Sequence, residues 1–222
     1  MHMCGRYTLS CPPEDLLAEF GVDVPADLEP RYNIAPTQPV PIIGRAESGA
    51  KRMAVVRWGL VPPWATSPRD VKHTINARAE TLLLRSAFRD AFVNRRCLVL
   101  ADGFYEWRRE NGTRQPFRIR RRDGRPFAFA GIWEQWQRPG EEQLFSCAII
   151  TTPPNPLVAP IHDRMPAILG PAAREAWLDA SADPVQLAAI LGPYEADELE
   201  AYAVSPLVNA VTNDVPACIA PA

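Results

Sequence analysis

The chain has 222 residues, 47% of them hydrophobic and 23% charged, with a formal net charge of −2. That composition suits a globular domain with a core of its own and excludes a disordered chain. No apolar run approaches the ~18 residues that a bilayer-spanning helix needs, so no membrane association is expected.

The first residues, Met1-His2-Met3-Cys4-Gly5-Arg6, carry neither a basic segment nor an apolar one, so no export signal is read there. The first element is a helix. Pro12-Pro13-Glu14-Asp15 opens it, Leu16, Leu17 and Phe20 line one face, and Gly21 stops it. Val40–Ile43 and Met53–Leu60 read as strands, and the apolar spacing over Thr81–Val93 is helical. Cys97–Ala101 has the unbroken apolar character of a buried strand. Phe117–Arg122, Asp123-Gly124 and Pro126–Trp133 then predict a β-hairpin, because Asp-Gly between alternating segments suits a two-residue turn. Phe145–Thr151 is a further buried strand. Helices follow at Pro171–Ala180 and Pro184–Leu191, and a last strand at Ala201–Ser205. With strands in the middle, helices at the flanks and no regular βαβ alternation, the expected class is α+β. It is a single domain over 4–222 on an antiparallel or mixed sheet.

The five cysteines (Cys4, Cys11, Cys97, Cys147 and Cys218) are odd in number and never spaced as CxxC. Without an export signal they read as reduced thiols in the cytoplasm, and no metal site or cofactor is expected.

Charge is uneven along the chain. All 24 basic residues fall in 1–174 against 18 acidic ones, whereas eight acids and no base follow Arg174. A basic working surface with an acidic C-terminal flank fits this distribution. Eight arginines lie between Arg108 and Arg125, and Arg118, Arg120 and Arg122 share one strand face. That face suits either a nucleic-acid backbone or the protection of a sheet edge.

Four clusters are polar where a plain core would be apolar. Cys4-Gly5-Arg6-Tyr7 lies near the start of the chain, and a terminal cysteine offers an amine and a thiol that together condense with an aldehyde. A small buried thiol is the plain alternative. Asn76 and Arg78 share a face in an extended Thr74–Glu80, where they suit a phosphate or cap the following helix. In Ala101-Asp102-Gly103-Phe104-Tyr105-Glu106-Trp107, aromatic neighbours desolvate Glu106 and raise its pKa into the acid/base range. Pairing with Arg108 at a rim is the other reading. His162, between Pro160 and Pro166, is placed to move protons near neutrality or simply to bond Asp163.

In this order the clusters resemble the SRAP (SOS response-associated peptidase) family. The matching stretches are CGRY at Cys4, RYNIAPTQ at Arg31, RWGLVPPW at Arg57, INARAET at Ile75, ADGFYEW at Ala101, IHDRMP at Ile161 and VSPLVNAVTND at Val204. The resemblance implies capture of abasic sites in single-stranded DNA through a thiazolidine between an N-terminal cysteine and the ring-opened sugar. Carried over by motif, Cys4 is the nucleophile, Asn76 holds the ring and sugar, Glu106 is the acid/base, and His162 assists ring opening and reversal. Arg6, Arg78 and Arg164 are expected to contact DNA, and Trp64 and Pro41 to shape a stacking surface. A DNA-binding groove, replication-fork proteins as partners, a monomer, and a cytoplasmic protein joining the bacterial nucleoid during repair complete the expectation.

The residues before Cys4 depart from the family, whose members begin Met-Cys. Residues 1–3 read as a leader or a cloning scar, and with them in place crosslinking is expected to fail for want of a free amine. Two other readings stand beside this one. The first is a cysteine peptidase that removes its own leader, and the second a non-catalytic module binding single-stranded or modified-base DNA.

Overall fold

The computed structural model describes residues 4–222 apart from 26, 47, 70–73 and 111; the leader read at 1–3 lies outside the described residues. In chain order the elements are β1 (Tyr7–Leu9), α1 (Pro13–Phe20), β2 (Arg31–Ile34), β3 (Pro39–Arg45), β4 (Lys51–Trp58) and β5 (Asn76–Arg78). Next come α2 (Ser86–Asn94), β6 (Arg96–Ala101), β7 (Gly103–Glu110), β8 (Thr113–Arg121), β9 (Phe127–Trp136) and β10 (Leu144–Thr152). The chain finishes with β11 (Met165–Pro166), β12 (Ile168–Leu169), α3 (Pro171–Leu178), α4 (Pro184–Ala189) and β13 (Leu199–Ala203).

Five of these strands close into a barrel. The pairs β4–β3, β3–β6, β6–β9 and β9–β10 are antiparallel, and β10 returns parallel to β4 with Cys147 opposite Trp58. Closure explains the apolar runs: every residue of β6 is buried, because one face fills the barrel and the other lies under helices. The second sheet, in the order β13-β8-β7-β1-β2, is wholly antiparallel. Tyr7 joins the two layers. Its ring meets Trp58 edge-on at 5.3 Å and Phe129 at 5.7 Å, and Phe104 meets Phe129 at 6.1 Å. All four side chains are almost fully buried, worth about 1.5–3 kcal/mol each in transfer terms, so β1 is firmly fixed to the barrel. This is an α+β domain, mainly β, with few helices. Among the described residues no helix is long and apolar enough to cross a membrane.

The predicted hairpin is not formed. The turn is there: Gly124 adopts φ 74° and its N–H donates to the Arg121 carbonyl at 3.2 Å. However, β8 belongs to the second sheet and β9 to the barrel, so the turn carries the chain from one layer to the other. Phe127–Ile132 of β9 are buried on both faces, and the barrel is what covers them. The partner of β8 is β7, with Glu110 opposite Thr113 across positions 111 and 112.

The arginine-rich strand is corrected as well. β8 lies between β7 and β13, so it is not an edge, and three of its four arginines (118, 120 and 121) are used internally. Arg118 is buried and donates to Asp102 and Thr8 and to the Tyr202 hydroxyl. Arg120 pairs with Glu200 at 2.7 Å, Arg121 with Asp123 and Glu19, and Arg122 donates to the Asp197 carbonyl. Part of the acidic C-terminal stretch is therefore the counter-charge of this strand. The helix expected over Thr81–Val93 is shorter than its spacing suggested. A 3₁₀ turn spans Ala79–Thr81, Leu83 and Leu84 are exposed, and extended backbone at Arg85 delays the helix to Ser86.

Candidate active site

The site is assembled around Cys4, which immediately precedes β1 and is only 4% exposed. Each polar group of this residue is held by a different part of the fold. Its backbone N–H donates to Glu106 Oε1 at 3.1 Å, and its carbonyl accepts from Asn76 Nδ2 at 3.1 Å. Its Sγ lies 3.8 Å from the Arg164 carbonyl. The φ of Cys4 is 23°, at the margin of the left-handed region that side chains avoid.

Local structure explains each partner. β1 pairs with β7 through Tyr7 opposite Phe104 and Thr8 opposite Gly103. A Cβ at Gly103 would stand 2.7 Å from Arg118 Nε and 2.8 Å from Thr8 Oγ1, so only glycine lets these strands approach. Three residues further along β7, Glu106 meets Cys4. Asn76 opens β5, which lies parallel to β10 with Asn76 opposite Ile149. His162 and Arg164 sit on the loop after β10. There the buried Asn155 caps a turn by accepting from the Val158 N–H and donating to the Tyr194 carbonyl.

Glu106 is 2% exposed, and burial pushes its carboxyl up to about 8. Hydrogen bonds from Cys4 oppose that shift, and the charge of Asp163 adds to it. The desolvation expected of Glu106 and the upward direction of its shift are observed, and the alternative pairing fails because Arg108 bonds Glu110 instead. Burial, and then the Glu106 charge, push the Cys4 thiol well above its ordinary value. Sulfur therefore rests as a thiol, and both it and the Cys4 nitrogen converge on one carboxyl group.

His162 presents Nε2 to Glu106 Oε2 at 3.8 Å. Its Nδ1 stands 3.1 Å from the Arg164 nitrogen, 3.2 Å from the Arg164 carbonyl oxygen and 3.3 Å from Asp163, so the ring's tautomer decides whether it accepts or donates there. Arg164 is buried and turned inward. Its two terminal nitrogens reach the two Glu80 oxygens at 2.6 and 3.0 Å, and one also donates to the Thr151 carbonyl at 2.6 Å. This pairing holds the Glu80 carboxyl below the usual range.

Beside Cys4 a cleft of about 540 Å³ is lined by Gly5, Arg6, Pro36, Ile75, Glu106, Trp107, Arg109, Arg114, His162 and Asn209. Arg6 lies at its wall, donating to Asn33 Oδ1 and the Val208 carbonyl at 2.8 Å each, with its guanidinium 5.8 Å from the Trp107 ring. Arg78 is exposed at the end of β5. Trp64 is 63% exposed on the segment after β4 and does not line the cleft. Pro41 cannot offer a stacking surface: it is buried within β3, opposite Val55. Pro39 is the exposed proline of that strand and Pro36 the one at the cleft. Sequence reasoning assigned no role to Pro36, Trp107 or Asn209, although each lies within a motif block, and it weighed Arg109 and Arg114 only as part of a run.

Chemically, the arrangement can place a nitrogen and a sulfur on the same electrophilic carbon beside a carboxyl that is half-ionised near pH 8. With Met3 attached the Cys4 nitrogen is an amide and only a donor; cleavage of that bond would make it an amine.

Three comparisons bear on this site. The family described as SOS response associated peptidase (SRAP) matches residues 3–211. A Bacillus subtilis (strain 168) protein named abasic site processing protein YoqW is 44% identical over 222 residues, covering 98% of this chain and 99% of that one. The Gallus gallus protein named abasic site processing protein HMCES is 35% identical over 224 residues, covering 86% of this chain and 66% of that protein. Among solved structures, a protein from Bacteroides thetaiotaomicron superposes with a TM-score of 0.88 at 28% identity, covering 99% of this chain and all of that one.

Proposed function

The chain belongs to the SRAP family, and on that premise we propose that it processes abasic sites in single-stranded DNA by covalent capture through Cys4. The names of its relatives supply the substrate class. The observation that carries the chemistry is the hydrogen bond from the Cys4 nitrogen to one oxygen of Glu106, whose other oxygen faces His162 at 3.8 Å.

The reaction starts once the Met3–Cys4 bond is cut. The abasic sugar opens as its C1′–O4′ bond breaks; the C1′ hydroxyl gives up its proton and O4′ takes one, with His162 as the carrier. The Cys4 amine adds to the C1′ aldehyde and forms a carbinolamine. Protonated Glu106 gives its proton to the departing hydroxyl, which leaves as water, and a C=N bond remains. The thiol then adds to the carbon of that protonated C=N bond while its own proton passes to the Glu106 carboxylate, closing a neutral thiazolidine and leaving Glu106 protonated again. One water is lost overall. A carboxyl near 8 populates both forms at neutral pH, as a group that first gives and then takes a proton requires. Asn76 fixes the Cys4 carbonyl so that the amine is aimed, and its amide faces the sugar. Arg6 at the cleft wall and Arg78, exposed at the end of β5, are the cations assigned to the phosphates beside the lesion.

A second reading, self-removal of the leader, is favoured by the left-handed φ of Cys4, which loads the backbone at the bond to be cut. It is compatible with the first, since it liberates the amine.

The test is intact mass spectrometry of the protein, with Cys4 made N-terminal, after mixing with a single-stranded oligonucleotide bearing one abasic site. An adduct at the combined mass less one water is expected, absent from Cys4→Ala and from protein retaining residues 1–3. Loss of the leader without any adduct would assign the site to self-processing alone. Salt-dependent binding that is unchanged by Cys4→Ala, with no adduct, would assign it to a binding module.

A further inference from the structure

Arg109 and Arg114 stand directly opposite each other across the β7–β8 ladder, at the exposed tip of the hairpin. Like charges in facing positions repel, and sheets ordinarily avoid the arrangement. Other arginines of the same run are neutralised: Arg108 by Glu110, Arg118 by Asp102, Arg120 by Glu200 and Arg121 by Asp123. Among the described residues, neither Arg109 nor Arg114 has an ion-pair or side-chain hydrogen-bond partner. Both line the cleft that holds Glu106 and His162. From Glu106 to Arg109 is about 10 Å along the extended strand, beyond the half-buried Trp107.

We infer that Arg109 and Arg114 form a phosphate clamp that grips the backbone of the bound strand on one side of the reacting sugar. Two planar forks facing one another can share the oxygens of a single phosphodiester, and the anion relieves the repulsion that the empty pair maintains. Because the pair projects from one end of the cleft, it engages nucleotides on one side of the lesion only and gives the site a polarity. The inference rests on the proposed capture of abasic DNA.

The experiment measures affinity of the full chain for single-stranded oligonucleotides as a function of salt, comparing parent with R109Q/R114Q. R52Q/R125Q removes the same charge from exposed positions elsewhere. A fall of about tenfold in affinity at 0.1 M salt is expected for R109Q/R114Q, with the log–log salt slope shallower by about 0.7 for each phosphate charge left without its arginine. The control should bind as the parent does. Oligonucleotides with the abasic site at the 5′ end and at the 3′ end should respond differently, only one sensing the substitution. R114E provides a variant that cannot be dismissed as misfolded: it places opposite charges across the ladder, so its Tm should equal or exceed the parent's while binding weakens.

Unchanged affinity and slope in R109Q/R114Q, with a parent that crosslinks normally, overturns the clamp and leaves the capture reading intact. Equal weakening with both end-placed substrates overturns the polarity and reduces the pair to diffuse charge. Inorganic phosphate forms the last arm. Saturable, Arg109-dependent stabilisation by millimolar phosphate, without any change in oligonucleotide binding, assigns the pair to a free anion instead. A parent that neither binds nor crosslinks overturns both readings together.

Discussion

Glu106 Oε2 and His162 Nε2 stand 3.8 Å apart, too far for a direct hydrogen bond and close enough that an oxygen placed between them would touch both. The other Glu106 oxygen is already occupied by the Cys4 N–H. One carboxyl thus faces the Cys4 nitrogen on one side and an imidazole on the other, and a hydroxyl entering the gap would touch two groups able to exchange protons.

The first prediction concerns this carboxyl. Glu106→Gln keeps an acceptor for the Cys4 N–H but cannot exchange a proton, so capture of the abasic oligonucleotide should slow by about 10²–10⁴. Stability should move in the opposite sense. The carboxyl rises from 4.5 to about 8 on folding, so its contribution is fully present below 4.5 and is lost as pH climbs through 8. Urea unfolding at pH 9 should find the Gln variant more stable than the parent by a few kcal/mol, on the order of what such a shift represents, and the gap should close by pH 5. Parallel pH profiles for the two proteins would contradict the buried-acid assignment.

A second prediction separates Arg164 from the DNA. With its donors committed to Glu80 and Thr151, Arg164→Ala should cost about 1–3 kcal/mol and lower Tm by several degrees. Loosening the loop should also release the Cys4 sulfur from the Arg164 carbonyl. Alkylation by iodoacetamide, mapped by peptide mass, should then be faster at Cys4 and unchanged at the buried Cys97 and Cys147. A variant with parental stability and reduced DNA affinity would restore Arg164 as a DNA contact.

Arg118 and Arg78 make a contrasting pair. Arg118→Ala breaks a buried ion pair with Asp102 and should cost about 3–5 kcal/mol in chemical denaturation. Arg78→Ala, at an exposed position, should change stability by less than about 0.5 kcal/mol yet flatten the salt dependence of DNA binding. Exchanged behaviour would mean that the arginine-rich strand binds DNA after all.

Trp64 offers a fourth test. The exposed indole can be removed at little cost to the fold, so Trp64→Ala should leave Tm nearly unchanged. If a base stacks on it, affinity for single-stranded DNA falls by about 1–3 kcal/mol, as calorimetric titration would detect. Pro41→Ala, inside the barrel wall, should act on stability alone.

What the sequence discloses and what it hides divides along physical lines. Burial of β6 and β10 is legible because an apolar run has few other uses, and the raised pKa of Glu106 is legible from its aromatic neighbours. The Asp123-Gly124 turn is equally legible, but a turn states only that the chain reverses, not which sheet receives the next strand. That choice depends on partners as distant as β13, whose Glu200 pairs with Arg120 of β8. Arg164 and Pro41 fail for a related reason: position within a motif does not reveal whether a side chain points outward, and Glu80 and the barrel turn these two in. The cleft residues Pro36 and Asn209 come from segments separated by more than 170 positions, and local spacing carries no trace of their meeting.

The fixing of Cys4 by Glu106 and Arg164 has a temporal side. Both partners lie far downstream, 102 and 160 positions later. At a ribosomal pace of about 5–20 residues per second, Glu106 follows Cys4 out of the tunnel by about 5–20 s. Through that interval the Cys4 N–H and Sγ lack the groups that hold them in the fold, which arrive only with β7 and with the loop after β10. Cys4 is thus among the first residues made and among the last to be fixed, because its surroundings are completed only when the second half of the chain has been synthesised.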